Sequence, residues 1–252
     1  MKIIDQSPLR SEDGSTSLID RLRGIWQYGL GWDRDRQAED RLIARLQKAL
    51  DNKYTVIRSA MLPKLELPIP LILTGPTGIY VIHASAQRGI YRAKEEIWAV
   101  MDAKSRRFRP AQPNLIRRVM LLGKVVENYL RDEFPDLPEV NPVLFLGHAG
   151  IHVEAERPAV RLVRVDGADR FAASIPENPT TLDRTEVKRL IDALTRPIPK
   201  EERSEESLLT DQSMLTIASI RMQRRQWLLI GLMAFIEVCL LMVFASIVLA
   251  LP

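Results

Sequence analysis

Six basic residues, Lys104, Arg106, Arg107, Arg109, Arg117 and Arg118, fall close together with Phe108 among them, and no acid lies between Ala103 and Arg118. Guanidinium and ammonium groups at this density can neutralise the phosphates of a nucleic-acid backbone without reading its sequence. The same charges suit anionic lipid headgroups. They also suit a solvated loop that runs into a helix start. These three readings stay open on the residues alone.

Other chemistry-bearing residues carry less. His148 and His152 are four apart, a spacing that helps metal binding on a helix, but Gly147, Ala149 and Gly150 surround them. No zinc site is expected there. Gly75-Pro76-Thr77-Gly78 has neither the lysine nor the length of a phosphate-cradling loop, and it reads as a turn. No serine–histidine–acid pattern stands out. The single cysteine, Cys239, excludes a disulfide framework within the chain. No metal and no cofactor is expected.

The composition, 46% hydrophobic and 27% charged, is that of a folded protein with a real core. The formal charge is +4, and residues 221–252 hold half of it through Arg221, Arg224 and Arg225 against Glu237. The remainder is nearly neutral, so its overall field exerts little pull on nucleic acid.

Residues 227–251 form an apolar run that begins at Trp227 and is interrupted by Glu237. At about 1.5 Å per residue this run reaches roughly 37 Å, enough to cross a hydrocarbon layer of about 30 Å. Arg221, Arg224 and Arg225 precede it, and no charged side chain follows. The positive-inside bias therefore places the preceding domain on the cytoplasmic face of a cell membrane, as a single-pass, tail-anchored protein. The N-terminus turns polar at once and lacks the pattern of a signal peptide, so insertion is expected to rely on the tail. Glu237 near mid-span is read either as a polar contact in a homo-oligomer or with a partner helix, or as a protonated carboxyl tolerated by lipid.

The elements that must position these residues follow from periodicity. Leu18, Ile19, Leu22, Ile25 and Trp26 predict a short amphipathic helix that packs on the domain or lies on the membrane surface. A clearer helix is predicted over 35–50, with Ala38, Leu42, Leu46 and Ala49 on one face. Strands are predicted over 54–62, 69–74, 79–84 and 97–102, with a short one at Ile90 and Tyr91. Pro113 opens a long helix with a Leu115, Val119, Leu122, Val126, Tyr129 stripe. Strands over 140–146 and 160–165 follow, and then a capped helix over 183–194. The predicted fold is α/β, one central mixed sheet flanked by helices, plus a C-terminal transmembrane helix. The predicted organisation is 1–34 an N-terminal segment, 35–175 the α/β domain, 176–226 a helix and juxtamembrane stalk, and 227–251 the span.

The run from Leu62 to Tyr91, centred on Gly75-Pro76-Thr77-Gly78, resembles the core of the nuclease-related (NERD) domain, a restriction-endonuclease-like family. The resemblance covers roughly residues 36–172. It implies an early helix with a glutamate, an aspartate on the strand before the Gly-Pro-x-Gly turn, and Glu-x-Lys ending the next strand. Two carboxylates on neighbouring strands would hold a hard divalent cation, which polarises the scissile phosphate and activates water.

Those family positions fall on different residues here. Glu39 stands for the helix glutamate. The aspartate falls on Pro70, and Glu-x-Lys falls on His83 and Ser85. The expectation is a catalytically inactive, membrane-anchored NERD-like domain, a binding or assembly module whose partners are the bilayer and nucleic acid or anionic lipid. The alternative is a divergent metal-dependent nuclease using Glu39, His83 and the basic stripe.

Overall fold

The computed structural model describes residues 1–7, 32–62 and 68–196. The chain divides into two compact units, Met1–Thr210 and Asp211–Pro252, and the described residues all belong to the first. The predicted helix around 18–26, the stalk, and the span with Arg221, Arg224, Arg225, Trp227 and Glu237 lie outside the described residues. Among the described residues no helix is long and apolar enough to cross a membrane.

The elements are β1 (Lys2–Asp5), α1 (Trp32–Ala49), β2 (Thr55–Ala60), β3 (Ile69–Gly75), β4 (Gly78–Ser85), β5 (Gly89–Lys94), β6 (Ile97–Met101), β7 (Phe108–Pro110), α2 (Leu115–Arg131), β8 (Val140–Leu146), β9 (Ile151–Glu156), β10 (Arg161–Arg164), α3 (Ala168–Ser174) and α4 (Arg184–Thr195). The fold is mixed α/β, but it holds two sheets where the apolar pattern predicts one. The main sheet runs β1-β2-β3-β4-β8-β10, and a smaller one runs β7-β6-β5-β9.

Burial explains the division. In the main sheet β4 is buried at every position, as strands covered by helices on both faces must be. In the smaller sheet β5 alternates, with Tyr91 and Ala93 buried and Arg92 and Lys94 exposed, the signature of a half-solvated strand. Gly89, at φ 116°, starts this second sheet in a conformation that favours glycine.

Within the main sheet β2, β3 and β4 form an antiparallel meander. Gly75 pairs with Gly78 around the two-residue loop Pro76-Thr77, so the predicted turn is a tight hairpin. After α2 the chain returns as β8, parallel to β4. The backbone of Lys2–Asp5 pairs in parallel with β2 at the sheet edge.

Two faces of this sheet carry separate cores. Ala38, Leu42, Ile43 and Leu46 of α1 pack with Leu71, Leu73, Tyr80, Ile82, Val143 and Phe145. On the opposite face Ile57, Ile72, Ile79 and Val81 pack with Val126 and Leu130 of α2 and Val187, Leu190 and Leu194 of α4. A third cluster joins Leu144 and Leu146 to Leu115, Ile116 and Val119 of α2 and to Trp98 of the smaller sheet.

The α2 stripe differs from the predicted one. Leu115, Val119 and Val126 are buried, but Ile116, Gly123 and Leu130 complete the face, while Leu122 and Tyr129 pack at its margin. A straight helix turns every 3.6 residues, so a strict seven-residue pattern drifts off the contact. Helix α4 begins at a capping box: Glu186 N–H donates to Asp183 at 2.7 Å, and Asp183 N–H donates to Glu186 at 2.7 Å.

Candidate functional site

Glu39 lies on the buried side of α1 beside Ala38 and Leu42, at only 9% exposure. Its partner is Arg58 of β2, itself 2% exposed. Arg58 Nε donates to Glu39 Oε2 at 3.1 Å, and Nη2 lies 2.9 Å from the same oxygen. Arg58 Nη1 donates to Asp40 at 2.6 Å. Burial pushes the Glu39 carboxyl up to about 7, and the Arg58 guanidinium pulls the other way. Glu39 is thus a structural counter-ion, and breaking a buried pair of this kind leaves an unpaired charge in the core.

His83 and Ser85 lie on β4. Tyr80, Ile82 and Ala84 of this strand pack toward α1, whereas Ile79 and Val81 pack toward α2 and α4. Strand alternation therefore turns His83 and Ser85 toward the α2 side, away from Glu39. The register brings Pro70 next to His83, since Leu71 pairs with Ile82 one step away. Ser85 is buried, and its hydroxyl accepts from Gln87 N–H at 3.4 Å. His83 is 6% exposed, and its Nδ1 has no hydrogen-bond partner among the described residues. Burial, reinforced by the nearby Arg118 charge, lowers its pKa to about 3. The ring is neutral at pH 7.

Residue Asp35, in the first turn of α1, reaches the end of β4. Its Oδ1 accepts from Ala86 N–H at 2.7 Å. Burial raises its pKa, while the Ala86 N–H, Arg118 and Arg34 oppose that shift. The charge that faces both Asp35 and His83 is Arg118. One carboxylate, one neutral imidazole and a guanidinium are a poor set for a hard cation, which prefers several oxygens. Among the described residues no group of three or more His, Cys, Asp or Glu converges as a metal set.

The basic stripe divides in space. Lys104, Arg106 and Arg107 occupy the exposed turn between β6 and β7. Asp102 braces that turn, accepting from Lys104 N–H at 3.0 Å and Ser105 N–H at 2.8 Å. Arg109 lies 3.6 Å from Asp102. Arg117 lies 3.4 Å from Glu96, in the turn at the other end of β6. Arg118 faces Asp35. Acids therefore face half of the stripe, Asp102 from beside it and Glu96 and Asp35 from farther along the chain, while Lys104, Arg106 and Arg107 form no ion pair among the described residues. His148 and His152 do not share a ligand geometry: His148 sits in the turn after β8, and its Nδ1 accepts from Gly150 N–H at 2.8 Å.

The chain matches no family model, no curated protein and no solved structure.

Arg58 and Asp35 are the site residues that the sequence reading missed. A signal existed for Arg58: a lone arginine inside the apolar Val56, Ile57, Ala60 run, with Glu39 in phase with the apolar face of α1. A charge at a core phase on two elements predicts a buried pair. No local signal marked Asp35, because its partner Ala86 is 51 positions away.

Proposed function

We propose that this protein is a catalytically inactive NERD-like domain that serves as a binding module for polyanions, tethered to the cytoplasmic face of a membrane by residues 227–251. One observation carries the reading: the carboxylate that should face the β4 site, Glu39, is held by Arg58 on the opposite face of the sheet. At the resembled positions stand Pro70, His83 and Ser85, and the charge beside them is the cation Arg118. A hard divalent cation does not fit these donors, so no hydrolytic step is derived through one.

The order of elements supports the resemblance to the restriction-endonuclease-like fold. A helix precedes a three-stranded meander, whose second hairpin carries Gly75-Pro76-Thr77-Gly78, and a long helix then leads to a buried parallel strand. The exposed Lys104, Arg106 and Arg107 turn supplies the cationic surface. Its contacts would be to phosphates and independent of sequence.

The test is incubation of the full chain with supercoiled plasmid and magnesium or manganese, alongside filter binding at two salt concentrations. Binding that weakens steeply with salt, without cleavage, is expected. Metal-dependent cleavage that vanishes in His83→Ala or Asp35→Asn would make the domain a divergent nuclease instead.

A further inference from the structure

The parallel strands β4 and β8 end side by side, Ser85 against Leu146. In open α/β sheets this carboxyl end is where ligands bind. Four basic side chains from three segments lie near this end. Arg88 follows β4, His148 follows β8, and Arg34 and Arg41 come from α1. The turn that carries His148 is pinned to β4, since Gly147 N–H donates to Ser85 O at 2.9 Å. Arg41 Nη1 donates to Gly147 O at 3.0 Å, which sets its guanidinium against the same turn.

His148 Nδ1 accepts from Gly150 N–H at 2.8 Å, so the neutral ring carries its proton on Nε2 as a donor. Partial burial and then the charges of Arg88, Arg41 and Arg34 hold its pKa below the ordinary value, and no acid opposes them. Among the described residues none of these three arginines forms an ion pair. The nearby Asp35 carboxylate is engaged by the Ala86 N–H. Asp35 offsets part of the Arg34 charge, which leaves Arg41 and Arg88 as cations beside the imidazole donor without an ion pair among the described residues, and a multivalent oxyanion would relieve their repulsion.

We infer that Arg34, Arg41, Arg88 and His148 form a binding site for a single phosphate group at the carboxyl ends of β4 and β8. Arg41 is hydrogen-bonded to the His148 turn, and Arg88 adjoins Gly89, whose N–H donates to Gly150 O of the same turn at 3.2 Å; one short turn as the shared focus fits a terminal phosphate, inorganic phosphate or a phosphomonoester. Two sources share that chemistry, soluble phosphate and the phosphomonoester headgroup of a lipid. The site differs from the resembled nuclease positions and stands whether or not they are inactive.

The experiment uses the full chain in zwitterionic detergent micelles and follows the His148 imidazole by NMR. The chain has 3 histidines, and His148→Gln assigns the resonance. Adding inorganic phosphate at constant ionic strength is expected to raise the His148 pKa, because a bound dianion favours the imidazolium. Arg88→Ala and Arg41→Ala should each weaken phosphate binding about tenfold, with amide spectra that stay folded. Arg88→Lys should recover only part of that loss, since lysine keeps the charge without the fork. If micelles doped with phosphatidic acid give the same shift and displace phosphate, the source is lipid. If they give none, it is soluble phosphate. A shift equally produced by chloride, or phosphate binding untouched in both arginine-to-alanine variants, overturns the inference.

Discussion

Glu39 and His83 stand on opposite faces of the main sheet. Glu39 enters from α1 and binds Arg58 at 2.9 Å, while alternation along β4 turns His83 toward α2. No single ion can be held by both side chains from opposite faces. Glu39 is held as a buried counter-ion, and His83 is buried with its Nδ1 unpartnered among the described residues.

Removing one member of the Glu39–Arg58 pair should therefore cost far more than replacing both. Arg58→Met leaves a carboxylate buried without its partner, and destabilisation of about 3–5 kcal/mol is expected. Adding Glu39→Leu should restore most of it. Urea unfolding of the single and double variants measures this, and equal midpoints in the two would contradict the pairing.

The two buried titratable groups act on stability in opposite directions. His83 is depressed to about 3 from an ordinary 6.5, so its contribution is full above pH 6.5 and is lost as pH falls toward 3. Glu39 is raised to about 7 from 4.5; the folded state holds its proton more tightly, so that contribution fades as pH rises from 4.5 to 7. Between pH 6.5 and 4.5 the two oppose. His83→Gln should make the protein gain stability on acidification from pH 7 to 5, and Glu39→Gln should make it lose stability more steeply. Unfolding midpoints at these two pH values decide the matter, and identical slopes in all three proteins would refute it.

The hairpin that carries the resemblance depends on a glycine for space. A Cβ at Gly75 would come within 2.1 Å of the buried Tyr54 ring, whose hydroxyl sits 3.3 Å from Thr77 Oγ1. Gly75→Ala should destabilise by about 1–3 kcal/mol, the usual cost of overpacking. Tyr54→Ala in the same chain should remove the added penalty, which thermal unfolding of a double-mutant cycle reads directly.

Polyanion binding should discriminate among the basic residues. Arg106→Ala/Arg107→Ala removes two unpaired cations, and the slope of log K against log salt should fall by about 1.8 on duplex DNA. Arg109 and Arg117 already face Asp102 and Glu96, so Arg109→Ala and Arg117→Ala should alter that slope little. Filter binding across a salt series makes the comparison. Equal effects from all four substitutions would restore a continuous stripe.

Much of the fold was legible from local pattern. The apolar run Val140–Leu146 coincides with β8, and Asp183 with Glu186 announced the cap of α4. What escaped was long-range pairing. The short segment Phe108–Pro110 is a strand only because Met101 and Val100 pair with it. The charged segment Ile151–Glu156 is a strand because β5 lies beside it, with Arg92 matched to Glu154 and Lys94 to Glu156. The site shows the same division. Residue type alone shows that Pro70, His83 and Ser85 bring no carboxylate. Yet where Glu39 points, what faces Arg117, and which arginines act on His148 are set by residues of other elements.

The measurement closest to the central claim is manganese binding to the full chain, followed by electron paramagnetic resonance of the free aqua ion. Without converging carboxylates beside His83, the free-ion signal should match that of protein-free buffer up to millimolar protein. Saturable loss of one ion per chain, abolished by His83→Ala or Asp35→Asn, would contradict it.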